Sequence, residues 1–291
     1  MSYDLFFLRD SPLEESLFAE YFSQRPFYKV ETRQAIYQNE DTGVYFAFDF
    51  GRTADSTLQH VAVFNLNFFR PHFFGLEAAP EVEAFVEHHA LRIFDSQNHG
   101  MGEGPFSRQG FLSGWNAGND FGYRAMLTSN NSPKTLFSRK TEELERIWHW
   151  NHDRAGVQSS VGDDVFVPRI MWLSIEGKLV SMAVWPDGIP TLIPDVEYIY
   201  IPRDELAPRK LFSRVKDNCL IPAAQLDQVL APLQSSDFGL RTRWPRDKVA
   251  SASVSRFVSS LEPNKCAISI LAADRVLNQE LVEKYRQFPP L

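Results

Sequence analysis

The chain has 291 residues and a formal net charge of −7, a length that suits two domains of roughly 100–200 residues each. It is 44% hydrophobic and 23% charged, with an aromatic excess at 13%, so its composition is neither that of a disordered chain nor that of a fibre. Residues 1–130 hold 9 basic and 17 acidic side chains, whereas residues 131–291 hold 21 and 20. The acidic first half disfavours nucleic-acid binding, and its charge either steers a basic partner or serves solubility alone.

Targeting and cysteine patterns predict a cytoplasmic protein. The first apolar run, residues 5–8, is shorter than the hydrophobic region of a signal peptide, and Asp4 precedes it where a basic residue is typical. No stretch approaches the roughly 18 apolar residues that indicate a membrane-spanning helix. Cys219 and Cys266 lie far apart without a zinc-type spacing, so we expect neither a disulfide framework nor a cysteine metal site.

The first 130 residues predict an antiparallel sheet with helices. The pattern of Ser11–Glu14 is a capping box with proline at the first helical position, and apolar residues follow it at helical spacing. In residues 44–50 and 62–68, every second residue is apolar and five of these eight are phenylalanine, as in strands buried on one face. The predicted strands are 3–8, 35–38, 44–50, 58–68 and 91–95, and the predicted helices are 12–23, 76–90 and 110–127.

The second half predicts another sheet, followed by helices. A linker-like stretch, Thr128–Pro133, places a domain boundary within residues 128–140. After it we expect a helix at 141–154, strands at 165–175, 179–185 and 196–201, and helices at 223–230, 246–261 and 274–286. The predicted fold class is therefore α+β, with two antiparallel-sheet-plus-helix units at residues 1–130 and 131–291.

A glycine-rich stretch, Gly100–Pro105, follows a predicted strand and precedes a predicted helix, where a phosphate-binding loop would lie. Pro105 replaces a glycine of the dinucleotide fingerprint, and the Gly-Lys-Ser/Thr ending of a P-loop is missing. Asp95, His99 and Glu103 recur every four residues, a spacing that shares one face only in a helix, and the glycines oppose a helix here. We interpret the whole stretch as a surface loop.

The helix at 141–154 carries a possible metal site. His149 and Asp153 are four residues apart and share one helix face, as two ligands of one metal ion would, and His152 lies beside them. The zinc-protease pattern HExxH is not present. The competing interpretation is a helix end, where histidines are favourable near the negative pole of the helix dipole.

We found no complete nucleophile–base set in the sequence, which favours a binding protein over an enzyme. The predicted partner contact is the acidic helix face formed by Glu81, Glu83 and Glu87, since carboxylates that face lysine or arginine on a partner give specificity and rapid association. A solvated helix face without a partner is the competing interpretation.

Several strings across the chain form a wider pattern, at residues 1–5, 65–67, 70–78, 91–97, 167–168, 185–190 and 192–196. Together they resemble a loosely defined group of bacterial cytosolic proteins encoded near secreted polymorphic toxins, including type VI secretion cargo clusters. The resemblance implies an immunity or accessory factor in a Gram-negative cytoplasm. Its motifs are turns and strand edges, so it assigns no site residues to this chain.

The sequence therefore predicts a cytosolic protein that binds a cognate secreted toxin or effector and occludes it stoichiometrically, without cofactor, nucleic acid or membrane. One alternative is a metal-assisted hydrolase that uses His149, His152 and Asp153. Another is a self-assembling structural component, for which the aromatic excess would mark a surface between copies. The oligomeric state and the choice between immunity factor and loading adaptor stay open.

Overall fold

The computed structural model describes residues 1–51, 60–97, 99–129, 133, 135–210, 213–214, 216–230 and 252–286. The chain forms two compact units, with Met1–Glu145 and Ala273–Leu291 in unit 1 and Arg146–Ala272 in unit 2. This division differs from the predicted 1–130 and 131–291, because the end of the chain returns to the first unit. Unit 1 holds 15 basic and 23 acidic side chains, a balance of −8, and unit 2 holds 15 and 14.

The predicted α+β class is confirmed, and both main sheets are largely antiparallel. In unit 1 the strands are β1 (Ser2–Leu8), β2 (Tyr28–Glu31), β3 (Gln34–Asn39), β4 (Val44–Phe50), β5 (Ala62–Asn67), β6 (Arg92–Asp95), β7 (Gly102–Gly104) and β8 (Phe137–Arg139). Its helices are α1 (Glu15–Ser23), α2 (Phe73–His89), α3 (Arg108–Leu127) and the first turn of α4 (Thr141–Val161).

The sheet of unit 1 has seven strands in the order β2-β3-β4-β5-β1-β6-β7, and every neighbouring pair is antiparallel. Phe22 from α1 and Phe85 from α2 pack against Phe7 of β1 and Phe48 of β4, and all four side chains are fully buried. Burial of such large rings contributes much of a core's stability. Much of the aromatic excess of the sequence is therefore the core of unit 1.

The C-terminal segment of unit 1 is held by a polar network around Asn278. The segment forms a 3₁₀ turn (Ala273–Arg275) and the strand that pairs in parallel with β8 (Val276–Asn278), and then a helix (Gln279–Arg286). The Asn278 amide oxygen accepts the His72 backbone N–H at 2.9 Å, and its NH₂ group donates to His72 Nδ1 and to Thr141. Tyr123 accepts the Asn278 backbone N–H at 3.0 Å.

Unit 2 contains the rest of α4 and a five-stranded sheet. Its remaining elements are β9 (Ile170–Ile175), β10 (Lys178–Val184), β11 (Tyr198–Arg203), β12 (Arg209–Lys210), β13 (Ser213–Arg214), β14 (Asp217–Pro222), α5 (Ala252–Ser260) and β15 (Ile268–Leu271). In chain order, the C-terminal strand and helix of unit 1 are then β16 (Val276–Asn278) and α6 (Gln279–Arg286). The sheet order is β14-β11-β10-β9-β15, and only the β10–β11 pair is parallel.

A buried arginine fixes α5 against the sheet of unit 2. Arg203 on β11 is completely buried and makes two hydrogen bonds of 2.7 Å to the carboxylate of Asp217 on β14. The same guanidinium donates to the backbone oxygens of Val258 and Leu261 at the end of α5. A buried charge needs this complete set of partners, because removal of one would leave it uncompensated. Nearby Cys219 is a buried free thiol, and Cys266 is an exposed one.

Two predicted helix starts need correction. The predicted helix 274–286 starts only at Gln279, because Val276–Asn278 pairs with β8. The helix predicted from residue 12 starts at Glu15, and Glu14 at its N-cap makes no side-chain capping bond. Leu13 is buried in the irregular segment that precedes the helix. The start of the predicted strand 58–68, part of Thr128–Pro133 and the start of the predicted helix 246–261 lie outside the described residues.

Among the helices that the structure describes, none has both the length and the apolar character that a crossing of the membrane requires.

Candidate functional site

The predicted acidic face lies on α2, but most of its charge is paired within unit 1. Glu81 accepts hydrogen bonds from Arg25 at 2.8 Å and from the Tyr28 hydroxyl at 2.9 Å. Glu83 pairs with Arg108 at 2.5 Å, and Glu87 is exposed. Two of the three carboxylates therefore have a cation of the fold beside them, so this face offers less uncompensated charge than its sequence indicates.

A fourth carboxylate of α2, Glu77, points inward. It is 2% exposed and accepts hydrogen bonds from Tyr37 at 2.8 Å, Asn39 at 2.9 Å and Thr42 at 3.0 Å. These donors lie on β3 and in the turn to β4, so Glu77 fastens that hairpin to α2. Burial and the nearby Glu77 raise the pKa of Tyr37, which keeps its hydroxyl a donor.

The predicted metal ligands His149, His152 and Asp153 lie on the solvent side of α4, where all three are exposed. His152 Nδ1 lies 2.9 Å from Asp153 Oδ1, and both histidine rings contact Trp148. Within the part of the chain that the structure describes, no three His, Cys, Asp or Glu side chains form a cluster that could hold a metal ion. The alternative metal site is therefore not assembled here.

The inward side of the same helix explains the unusual sequence around these histidines. Trp150 donates to the backbone oxygen of Pro168 at 2.8 Å. Asn151 donates to the backbone oxygen of Ile170 and accepts its N–H, at 2.8 and 2.7 Å. The tryptophan and asparagine of this string thus dock α4 on β9, and their role is structural.

A different set of residues forms an open cleft of 470 Å³ in unit 1. We call it the cleft, and its lining residues are Met1, Ser2, Phe68, Ser96, Gln97, His99, Gly114, Ala117, Gly118 and Phe121. Phe68 and Gly114 are buried at its base, whereas Phe121 on α3 is 59% exposed. Its volume is in the range of ligand-binding clefts, about 300–1,000 Å³.

Asp95 builds one wall of the cleft from beneath. It ends β6 and is 2% exposed. Its carboxylate accepts the Tyr3 hydroxyl at 2.5 Å and the backbone N–H groups of Gln97 and Met101 at 3.0 and 3.1 Å. Gly100 passes so close that a methyl group there would overlap this carboxylate. Three donors therefore fix the loop that carries Ser96, Gln97 and His99. Burial, reinforced by Asp95, raises the pKa of Tyr3, so the phenol stays protonated and donating.

The opposite wall is α3, which approaches the sheet closely because of its glycines. Gly110, Gly114, Gly118 and Gly122 recur every four residues, a spacing that places them on one side of a helix. A methyl group at Gly114 would come 2.9 Å from the Tyr3 hydroxyl, and one at Gly118 would overlap the Phe68 ring. The stripe is thus a packing device that brings Ala117 and Phe121 to the cleft.

The loop predicted at Gly100–Pro105 is only partly irregular. Gly102–Gly104 forms the edge strand β7, and Glu103 pairs with Arg92 on β6 at 2.8 Å. Of the loose set Asp95, His99 and Glu103, the first is buried beneath the loop and the last faces an arginine, so the three do not converge. The cleft wall on this side is formed by the residues just before this stretch, Ser96, Gln97 and His99.

Chemically, the cleft is equipped for binding. Phe68, Ala117 and Phe121 supply apolar surface, while Ser96, Gln97 and His99 supply hydrogen-bonding groups. The sequence indicates the loop and the helix separately, and no local pattern connects them. Two signals could have singled out these segments: the four-residue glycine repeat, which indicates close approach, and the position of Asp95 at a strand end before a glycine-rich loop.

Comparison of the chain with protein-family models, curated proteins and solved structures finds no match.

Proposed function

We propose that this is a bacterial cytoplasmic binding protein whose cleft in unit 1 engages a cognate secreted toxin or effector and occludes it stoichiometrically. The observation that carries the proposal is the cleft itself, with walls fixed by Asp95 and the α3 glycines and a phenylalanine exposed at its opening. Aromatic side chains beside a preformed apolar concavity are common anchors of protein interfaces. The resemblance of the sequence to proteins encoded beside polymorphic toxins supports the class of partner.

The charge distribution supports a basic partner. The whole excess of negative charge belongs to unit 1, at −8, while the cleft lining contains no lysine, arginine, aspartate or glutamate. We therefore expect diffuse electrostatic attraction to accelerate encounter and the cleft to supply the lasting contacts. Charge of this kind changes association rates more than dissociation rates, and added salt screens it.

The test compares two leucine substitutions on α3. Ala117→Leu fills the cleft, whereas Asn116→Leu adds a similar side chain at the neighbouring exposed position, which does not line the cleft. The wild-type protein and both variants, tagged at the C-terminus, are used to capture partners from native lysate at low and moderate salt, with identification by mass spectrometry. We expect one near-stoichiometric protein with the wild type and with Asn116→Leu, and its loss with Ala117→Leu.

The captured protein is then purified and mixed with each variant, with light scattering to measure the mass of the complex. A 1:1 complex in which the partner's own activity is suppressed supports occlusion. Equal capture by both leucine variants would remove the cleft from the proposal, and a complex that leaves the partner fully active would remove occlusion.

A further inference from the structure

The cleft coincides with a gap in the seven-stranded sheet. Strand β1 pairs with β5 from Ser2 to Phe7 on one side. On its other side it pairs with β6 only from Leu5 to Leu8, because β6 ends at Asp95, opposite Leu5. Beyond Asp95 the chain turns away into the loop that Asp95 holds. Among the described residues, the first part of β1 thus has a strand on one side only.

The direction of the hydrogen bonds shows which backbone groups face this gap. Met1 O accepts the Phe68 N–H at 3.1 Å and Phe7 O accepts the Val61 N–H at 2.8 Å, so the odd-numbered residues of β1 direct their backbone groups towards β5. Backbone groups alternate along a strand in an antiparallel sheet. The N–H and C=O of Ser2, which lines the cleft, therefore point towards the gap.

On this basis, which rests on the proposed function, we infer that the occupant of the cleft is an extended segment of the partner protein. It pairs with the start of β1 in the place that a longer β6 would take. One apolar side chain of the segment lies against Phe68, Ala117 and Phe121. Strand addition gains affinity from main-chain hydrogen bonds and specificity from pockets for alternate side chains. Here the backbone groups of Ser2 would make the hydrogen bonds, and the cleft would be the pocket.

Peptides with N-methylated backbones test the pairing directly. The probe is a blocked pentapeptide with a central phenylalanine flanked by threonines, titrated into ¹⁵N-labelled protein with its tag at the C-terminus. Two matched peptides carry N-methyl groups, one at the central residue and the other at the two residues beside it. Because backbone groups alternate along a strand, only one of these patterns removes donors that face β1.

We expect the parent peptide to shift the amide signals of Ser2, Gln97, Gly114 and Gly118. One methylated peptide should bind about tenfold more weakly, the effect of losing about one net hydrogen bond, and the other should bind like the parent. Ala117→Leu should abolish these shifts and Asn116→Leu should retain them.

Two results would overturn the inference: equal binding of both methylated peptides and the parent, or no shift of these amides at millimolar peptide. In either case, partner capture that still depends on Ala117 would leave the proposed function standing, so the two failures are distinguishable.

Discussion

The acidic face of α2 and the cleft beside α3 are two candidate contact surfaces of unit 1 with different chemistry. The acidic face has the more conspicuous sequence, but Glu81 and Glu83 already face Arg25 and Arg108. The cleft has an inconspicuous lining of glycine, alanine, serine and phenylalanine. The binding that we propose for it would come from exposed apolar surface and from the one open side of β1. Charge in a sequence therefore does not show whether the fold already pairs it, as it does for Glu81 and Glu83.

The largest expected effect comes from the carboxylate under the cleft. Asp95→Ala removes the acceptor of three hydrogen bonds and leaves the Tyr3 hydroxyl buried without a partner, at a cost of about 3 kcal/mol. We expect a lower free energy of unfolding in urea and loss of partner binding. Tyr3→Phe removes one of the three bonds and should cost about 1 kcal/mol. If Asp95→Ala were as stable as the wild type, Asp95 would not fix the loop.

A pair of glycine substitutions separates packing from helix propensity. Gly118→Ala should destabilise unit 1 by about 1–3 kcal/mol, because the methyl group overlaps the Phe68 ring and overpacks the contact. Gly156→Ala on α4, where a methyl group meets no atom within 4 Å, should stabilise by up to about 1 kcal/mol through helix propensity. Thermal unfolding of both variants measures the contrast. Destabilisation by Gly118→Ala together with stabilisation by Gly156→Ala supports the close approach of α3 to the sheet. Stabilisation by both substitutions would contradict it.

His89, on the buried side of α2, should make the free energy of unfolding depend on pH. Burial, with smaller contributions from His88 and Arg9, lowers the pKa of His89 from 6.5 to about 4. Between these values the unfolded chain binds a proton that the folded protein does not, so stability falls as the pH is lowered from 7 to 5, by about 2 kcal/mol. His89→Phe should flatten this part of the urea-stability profile. An unchanged slope in the variant would show that His89 is not responsible.

The smallest effect is expected on the acidic face. Glu87→Lys changes an exposed charge and Glu83→Lys breaks a partly exposed ion pair, so each should alter the free energy of unfolding by less than about 1 kcal/mol. Stopped-flow association with the captured partner should slow by a few-fold at low salt and recover its wild-type rate at high salt, while dissociation stays constant. A faster dissociation rate would instead place this face in the contact.

Local patterns predicted most of the fold of unit 1. The alternation of Phe46, Phe48 and Phe50 anticipated which side of β4 is buried, since a strand's side chains alternate between its faces. Pairing between segments far apart in the sequence could not be predicted from local patterns. Val276–Asn278 is helical by local pattern but becomes a strand because Phe137–Arg139, far away in sequence, offers it a parallel edge.

The candidate site was harder to predict than the fold. Glu81 and Arg25 are 56 residues apart, so no local pattern reveals that this carboxylate already has a cation. The cleft joins the start of β1, the loop after Asp95 and the middle of α3, which only the sheet order brings together. Helical spacing placed His149 and Asp153 on one face of α4 with His152 beside them, but within the described residues no three metal-ligating side chains form a cluster there.

Hydrogen exchange on the partner complex compares the cleft and the acidic face in one experiment. Exchange is followed by mass spectrometry for the protein alone and with its captured partner. We predict stronger protection in the first residues of β1, in the loop 96–101 and in the middle of α3, with residues 81–88 of α2 unchanged. Protection confined to residues 81–88 would contradict binding at the cleft and would place the contact on the acidic face.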